Sequence, residues 1–301
     1  MRESVHKWLS PPDPWKNHNT VHDTRHRGTG TWLIQGDTYA KWKSSDTTSL
    51  LWIKGKRQFI VLICLSETDD YGLYSGRGKE RRLVRSPPTN SRVCELMLLR
   101  SSAVIEDILA MRGSGQASLG FFYCDFREDQ KKDRRGLLSS LLVQLGEQSD
   151  AYSSILSDFY AAHGRGSQHA SDEKLLGCLK DMLKLPGQAT VHIIIDALDE
   201  CPTTTGFPTP REKVLEVVEE LVNLQTHNLR ICVTSRPEDD IASILGPLAF
   251  RSVSLEGESG QVKDIAEYIE SVVKTDRVMR RWKGTDKQLV IEVLSKKADG
   301  M

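Results

Sequence analysis

The sequence predicts a three-layer α/β fold, a parallel sheet covered by helices on both faces. Three observations carry this expectation. The runs Leu50-Leu51-Trp52-Ile53, Val191-His192-Ile193-Ile194-Ile195 and Leu229-Arg230-Ile231-Cys232-Val233 are short and largely apolar, so strands built from them need cover on both sides. Between them, leucines and valines recur at three- and four-residue spacing, which is the period of an amphipathic helix. Thr209-Pro210-Arg211-Glu212 is a capping box with proline at the first helical position, a start signal for one of those helices.

Taken in order, residues 8–19 are polar and hold Pro11, Pro12 and Pro14, and read as an N-terminal linker. Residues 30–44 carry Trp32, Leu33, Tyr39 and Trp42 at helix-like spacing, a short helix that packs on the next element. The apolar run 50–53, ended by Gly55, is a buried strand. Residues 57–97 break the pattern. They hold an apolar run, a basic run (Arg77, Lys79, Arg81, Arg82, Arg85) and Ser86-Pro87-Pro88, with no sustained period. They are expected to be irregular and exposed, with proteolysis first near Arg81, Arg82 or Arg85. Order resumes at Leu98. A helix over 101–111, a strand over 119–126, and leucine stripes at 137–145 and 175–183 come next. Then come the strand 191–195, the capped helix with Val214, Leu215, Val218, Leu221 and Val222, the strand 229–233, a further strand near 252–255, and a helix marked by Val262, Ile265, Ala266, Ile269 and Val273.

The totals exclude several classes. With 39% hydrophobic and 27% charged residues the chain has the composition of a soluble globular protein. Lys+Arg and Asp+Glu both number 41, which leaves no overall field to draw in nucleic acid or an anionic membrane. The longest apolar run, 59–65, is far shorter than the roughly 20 residues a bilayer needs. The start Met1-Arg2-Glu3-Ser4 lacks an apolar signal core, so the expected compartment is the cytoplasm. Cys64, Cys94, Cys124, Cys178, Cys201 and Cys232 form no C-x-x-C pair and read as small core hydrophobes rather than zinc ligands or disulfides. His22 and His26 lie in a Gly/Thr/Arg stretch and read as loop residues, not a metal pair.

The strongest chemical signal is Asp196-Ala197-Leu198-Asp199-Glu200, directly after the β-branched strand. Ligands of parallel α/β sheets bind at the carboxyl ends of the strands, so acids there are placed to face Mg²⁺ and a phosphate chain. Asp196 would hold the metal through water. Asp199 or Glu200 would orient or deprotonate the attacking water. The same string also fits an ordinary strand with an acidic turn before Pro202. The next strand runs into Thr234-Ser235-Arg236-Pro237, which brings Thr234 and Arg236 to the same crevice. An arginine beside a γ-phosphate stabilises the charge that develops in phosphoryl transfer; a surface arginine at a turn fits as well. Three carboxylates at one strand end repel one another unless a cation sits among them, which is the reason to expect one here.

Together the two segments resemble a known family. Asp196 to Glu200 fit the NACHT variant of the Walker B motif, and Thr234-Ser235-Arg236-Pro237 its sensor-1 segment. Trp8-Leu9-Ser10-Pro11, Gly28-Thr29-Gly30-Thr31-Trp32, Trp42 and Leu51-Trp52-Ile53 look like the approach to the NACHT domain of fungal proteins, vegetative-incompatibility receptors among them. Phe121-Phe122-Tyr123-Cys124-Asp125-Phe126 looks like its second strand. Asp264-Ile265-Ala266-Glu267-Tyr268-Ile269 resembles the start of the helical lid, and Ala298-Asp299-Gly300-Met301 the stretch before a winged-helix-like segment. The nephrocystin-3-like N-terminal NACHT domain is the nearest description. The resemblance implies a P-loop NTPase-like fold of the AAA+/STAND kind with the start of a helical lid. It implies ATP or GTP with Mg²⁺, a metal ligand in Asp196, catalytic roles for Asp199, Glu200 and Arg236, and nucleotide contacts from Gly55, Lys56 and Thr234. It also implies oligomerisation, cytoplasmic signal transduction, and protein partners held through further N- or C-terminal modules such as ankyrin repeats.

One departure matters more than the match. The family runs from the strand 51–53 into a G-x-x-x-x-G-K-[ST] loop, whose amides and lysine hold the phosphates. Here Gly55-Lys56 is followed by Arg57-Gln58-Phe59-Ile60, and the pattern rejoins at Leu98-Leu99-Arg100-Ser101-Ser102. Gly76-Arg77-Gly78-Lys79 is the nearest imitation and fails, with Leu73 at the first glycine position and Glu80 at the hydroxyl position. The segment reads as an intron translated as exon or a mispredicted gene model, with a degenerate pseudo-NTPase as the alternative. The resulting division is 1–48 as linker and short helix, 49–255 as NTPase core with an atypical insert at 57–97, and 256–301 as a lid that stops short. The expected function is a nucleotide-switch core that neither binds nucleotide tightly nor hydrolyses it. A non-enzymatic scaffold and a nucleic-acid-binding AAA+ relative are the rivals, and neutral charge counts against the latter.

Overall fold

The computed structural model describes residues 2–24, 30–55, 59–60, 94–204, 206–255, 259–275 and 279–299. Lys56 and most of the 57–97 insert, including its basic run, lie outside these residues. The helices in chain order are α1 (Arg2–Leu9), α2 (Pro14–Thr24), α3 (Thr31–Ile34), α4 (Asp37–Lys43), α5 (Leu96–Gly113), α6 (Arg134–Gly146), α7 (Asp150–Ala162), α8 (Asp172–Leu183), α9 (Pro210–Val222), α10 (Asp239–Leu248), α11 (Ser259–Thr275) and α12 (Gly284–Asp299). The strands are β1 (Ser49–Lys54), β2 (Phe59–Ile60), β3 (Cys94–Glu95), β4 (Ala117–Tyr123), β5 (Thr190–Asp196), β6 (Leu229–Ser235) and β7 (Arg251–Ser254).

Five strands form one parallel sheet in the order β4-β5-β6-β1-β7, and β2 pairs antiparallel with β3 apart from it. Alternate residues of each strand serve opposite cores, as the two-residue period of a strand requires. On one face Leu51, Ile53, Leu119, Phe121, Ile194 and Cys232 pack with Tyr39, Trp42, Val104 and Ile105 of α4 and α5. On the other, Leu50, Trp52, Phe122, Ile193, Ile195 and Val233 pack with Leu141, Leu179, Met182, Val218 and Leu245 of α6, α8, α9 and α10. The three-layer α/β expectation is therefore met.

The topology sets where a ligand can sit. The chain leaves β1 through α5 on one face and crosses to the far edge at β4. It returns through β5 and β6, then steps over β1 to β7, with α10 on the opposite face. The connections from adjacent strands β1 and β6 part to opposite faces, and a sheet of this topology places a ligand crevice at their carboxyl ends.

Several stretches differ from the sequence reading. Residues 8–19 are not a linker. Pro11 and Pro12 separate two helices, and Pro14 occupies the first position of α2, where its missing N–H costs nothing. Trp15 and His18 of α2 then seat against Phe121, with ring centroids 5.0 and 5.6 Å apart. Tertiary contact, not intrinsic helix signal, holds this segment. Helices α7 and α10 have no counterpart in the sequence reading, because only Tyr152 and Leu156, and Ile241 and Leu245, are buried on them. Residues 30–44 hold two short helices rather than one, and the strand expected over 119–126 runs over 117–123. His22 lies in α2 rather than a loop, and the ends of the insert pair as β2 and β3. The remaining sheet strands and the α6, α8, α9 and α11 helices fall where expected, and the capping box at Thr209 and Glu212 is made in both directions.

Candidate functional site

β5 delivers Asp196 to the carboxyl edge of the sheet, 1% exposed. The hydroxyl of Thr234, at the corresponding end of β6, donates to Asp196 Oδ1. The same Thr234 oxygen accepts the backbone N–H of Ala197 at 2.9 Å. Ala197 has φ 53 and ψ 45, a left-handed conformation that costs an L-residue roughly 1–2 kcal/mol. Thr234 thus ties the strained residue and the first acid of the motif to the neighbouring strand.

The strained step turns the chain into the short 3-10 helix Leu198–Glu200, with Leu198 plugged into the core. Asp199 is directed at the loop after β6. Its Oδ1 accepts the N–H of Arg236 at 3.1 Å, and Oδ2 lies 3.0 Å from Arg236 Nε. The second contact is an ion pair rather than an aligned hydrogen bond. The Asp199 side chain is 5% exposed and that of Arg236 34%. Glu200 stands on the same turn, half-buried.

Arg211 completes this half of the site, and the sequence reading used it only as part of a helix cap. It is 6% exposed. Its Nε donates to the carbonyl of Cys201 at 3.0 Å and its Nη2 to the carbonyl of Asp199 at 2.5 Å. Its Nη1 reaches Glu238 at 2.5 Å and Asp240 at 3.1 Å. Burial works against its charge, but the two carboxylates more than offset this, and its pKa is raised. One guanidinium therefore joins the turn after β5 to the loop after β6. A buried arginine near an acidic turn was the available signal; its partners, 10 to 29 residues away, were not.

Behind these groups the environment is apolar. Tyr123 pairs with Asp196 across the sheet. Burial and then the charge of Asp196 push its hydroxyl well above the usual tyrosine range. Its oxygen meets His18 Nδ1 at 3.2 Å, and His18 Nε2 meets Glu106 at 3.0 Å. Cys124 and Cys201 are buried free thiols; their mutual hydrogen bond, then burial, raise the Cys124 thiol.

The other half lies at the end of β1. Gly55 donates its N–H to the carbonyl of Ser235 at 3.3 Å, and Leu255 donates to the carbonyl of Lys54 at 2.8 Å. A Cβ on Gly55 would come within 2.8 Å of Leu255 Cβ, so this glycine is needed for close packing. Trp52 Nε1 donates to Ser235 Oγ at 2.9 Å beneath them.

The two halves fit Mg²⁺–nucleotide unequally. Asp196 and Thr234 supply the oxygen donors Mg²⁺ takes. Among the described residues, however, no three His, Cys, Asp or Glu side chains stand together around a possible metal. The expected repulsion of the carboxylates is already relieved, Asp196 by a hydroxyl and Asp199 by a guanidinium. On the phosphate side, α5 opens with Leu96-Met97-Leu98-Leu99. These four residues carry no group that neutralises a phosphate or ligates Mg²⁺, so the described residues on this side do not fit the group, and Lys56 lies outside them.

Residues 99–236 match the family model described as Nephrocystin 3, N-terminal. The match runs from within α5 to Arg236 and leaves out β1, Gly55, Lys56 and all of the insert. No curated protein matches the chain. Among the described residues no helix is long and apolar enough to cross a membrane.

Proposed function

With residues 99–236 matching the nephrocystin 3 N-terminal family, we propose that this chain is the nucleotide-switch core of a NACHT-type STAND signalling protein that no longer binds nucleotide tightly. One observation carries the reading: the acidic half of the crevice is complete, while the helix that should follow a phosphate loop begins with four apolar residues. In a complete relative, ATP or GTP would hold core and lid closed, and partner binding or hydrolysis would shift the balance. In that setting Asp196 would bind Mg²⁺ through water beside Thr234. Asp199 or Glu200 would orient water, and Arg236 would meet the γ-phosphate. Lys56 would supply what remains of the phosphate contacts, since the Gly55 amide is already engaged by the Ser235 carbonyl. Here those contacts are too few. Isothermal titration of the chain with Mg²⁺-ATP and Mg²⁺-GTP is expected to show no binding below millimolar concentration, and micromolar affinity in either titration would overturn the reading.

A scaffold without nucleotide function is the second reading, favoured by a specific feature. Asp196 and Asp199 are each engaged within the protein, so the fold needs no bound ion to stand. A scaffold predicts a melting temperature unmoved by millimolar Mg²⁺-ATP, whereas a weak switch predicts a rise with concentration.

A further inference from the structure

We propose that helices α3 and α4, which precede the sheet, form a bracket that clamps α11 to α5, with Asp264 as its latch. The carboxylate of Asp264, on α11, is 8% exposed. Its Oδ2 accepts two hydrogen bonds from the start of α3: the Gly30 N–H at 2.7 Å and Trp32 Nε1 at 3.1 Å. Both donors aim at one oxygen, and the acceptor is charged and nearly dry, the setting in which such bonds are strongest.

Backbone fit reinforces the latch. Gly30 has φ +82, a left-handed conformation suited to glycine, and a Cβ there would come within 2.9 Å of Ala103 Cβ on α5. Gly260, in the first turn of α11, lies flat against the Trp32 indole, where any Cβ would overlap the ring. The other end of the bracket is pinned to α5. Tyr39 donates to Asp107 Oδ2 at 2.6 Å and Lys43 reaches the same oxygen at 2.8 Å. Two aspartates, on α5 and α11, thus each hold the bracket by one carboxylate oxygen. The helical unit of α11 and α12 is tied to the sheet layer through α3, so releasing Asp264 frees that unit without touching the strands.

The bracket does not depend on nucleotide binding. If the proposed function holds, it is the seam across which core and lid move, and it relays a change at α5 to α11. Hydrogen exchange on the whole chain tests it. Asp264→Ala is expected to speed exchange in α11 and in the first turn of α3 by about tenfold or more, with β5 and β6 unchanged. Gly260→Leu, which keeps the carboxylate and wedges the seam by displacing the Trp32 ring, should do the same. Asp107→Asn should loosen α4 and, by a smaller factor, α11. Wild-type exchange in α11 for both Asp264→Ala and Gly260→Leu would overturn the latch, as would an equal rise in β5 and β6. If Asp264→Ala does not fold, Asp264→Asn decides: it keeps the shape and weakens the acceptor, and unchanged α11 exchange in it overturns the latch. These outcomes are independent of nucleotide titration, so the latch and the proposed function fail separately.

Discussion

The two parts of the sheet's carboxyl edge, at β5–β6 and at β1, are built differently. At the ends of β5 and β6 both aspartates of the motif are placed and engaged, Asp196 by Thr234 and Asp199 by Arg236, and Arg211 holds the carbonyls of Asp199 and Cys201. At the end of β1, Gly55 is packed on Leu255 and the following helix opens with Leu96-Met97-Leu98-Leu99. The difference lies in what each side does for the fold. The acidic side satisfies buried donors and acceptors and relieves a strained residue, so removing any part leaves a polar group unpaired. A phosphate loop has polar amides turned to a ligand, and the sheet behind it is held by Leu50, Leu51, Trp52 and Ile53 regardless.

The sharpest way to break this comparison is to restore the missing side. Replacing residues 57–97 by a glycine-rich loop ending in Gly-Lys-Ser supplies several amide bonds and a charged lysine, about 5 kcal/mol in all, or a gain above ~10³ in affinity for Mg²⁺-nucleotide. Binding is the readout rather than turnover, because hydrolysis requires lid closure. Within the repaired chain, Asp196→Ala should weaken Mg²⁺-dependent binding and Arg236→Ala should reduce discrimination between tri- and diphosphate. A repaired chain that folds by circular dichroism and ignores nucleotide contradicts the site assignment.

The next effect tests whether the acidic side is structural. Arg211→Met removes donors to the carbonyls of Asp199 and Cys201 and separates Glu238 and Asp240 from their cation. The two acids are well exposed, so their share is discounted for screening; the loss is about 2–4 kcal/mol. Urea denaturation reads it as a lower midpoint at unchanged slope. A loss under about half a kilocalorie would mean the clamp is ornamental.

A control lies in the sheet itself, away from the crevice. His192 is fully buried in β5, edge-on to Trp42 at 5.8 Å, without an aligned hydrogen bond at either ring nitrogen. Burial, then the charge of Arg230, lower its pKa from 6.5 to about 4. The unfolded chain therefore takes up a proton first as pH falls. Stability from this residue is fully present above pH 6.5 and declines toward pH 4, by about 2 kcal/mol at pH 5. His192→Phe should flatten that part of the pH profile, and an equally steep fall in the variant assigns the pH dependence elsewhere.

The smallest effect sharpens the role of a single hydroxyl. Thr234→Val keeps the shape of β6 and removes the donor to Asp196 and the acceptor for Ala197, at a cost of about 1–3 kcal/mol. Thr234→Ser, which keeps the oxygen, should recover most of that. Equal stability in the two variants would show that Thr234 acts by packing alone.

Much of this was legible in the amino-acid sequence. The parallel sheet could be read because β1, β5 and β6 are apolar on both faces, a pattern that calls for cover on both sides. The acids at the end of β5 and the broken loop after β1 could be read because strand ends and glycine spacing are local properties. The rest was decided only in three dimensions. Residues 14–19 are helical because Trp15 and His18 find Phe121 and Tyr123 more than a hundred positions away. Asp199 meets the guanidinium of Arg236 because the turn at Ala197 aims it at the loop after β6. Arg211 and Asp264 each gather donors or acceptors from segments far apart in the chain. Local periodicity and strand-end chemistry are written residue by residue, whereas the partner of a buried charge depends on which distant backbone the fold brings beside it.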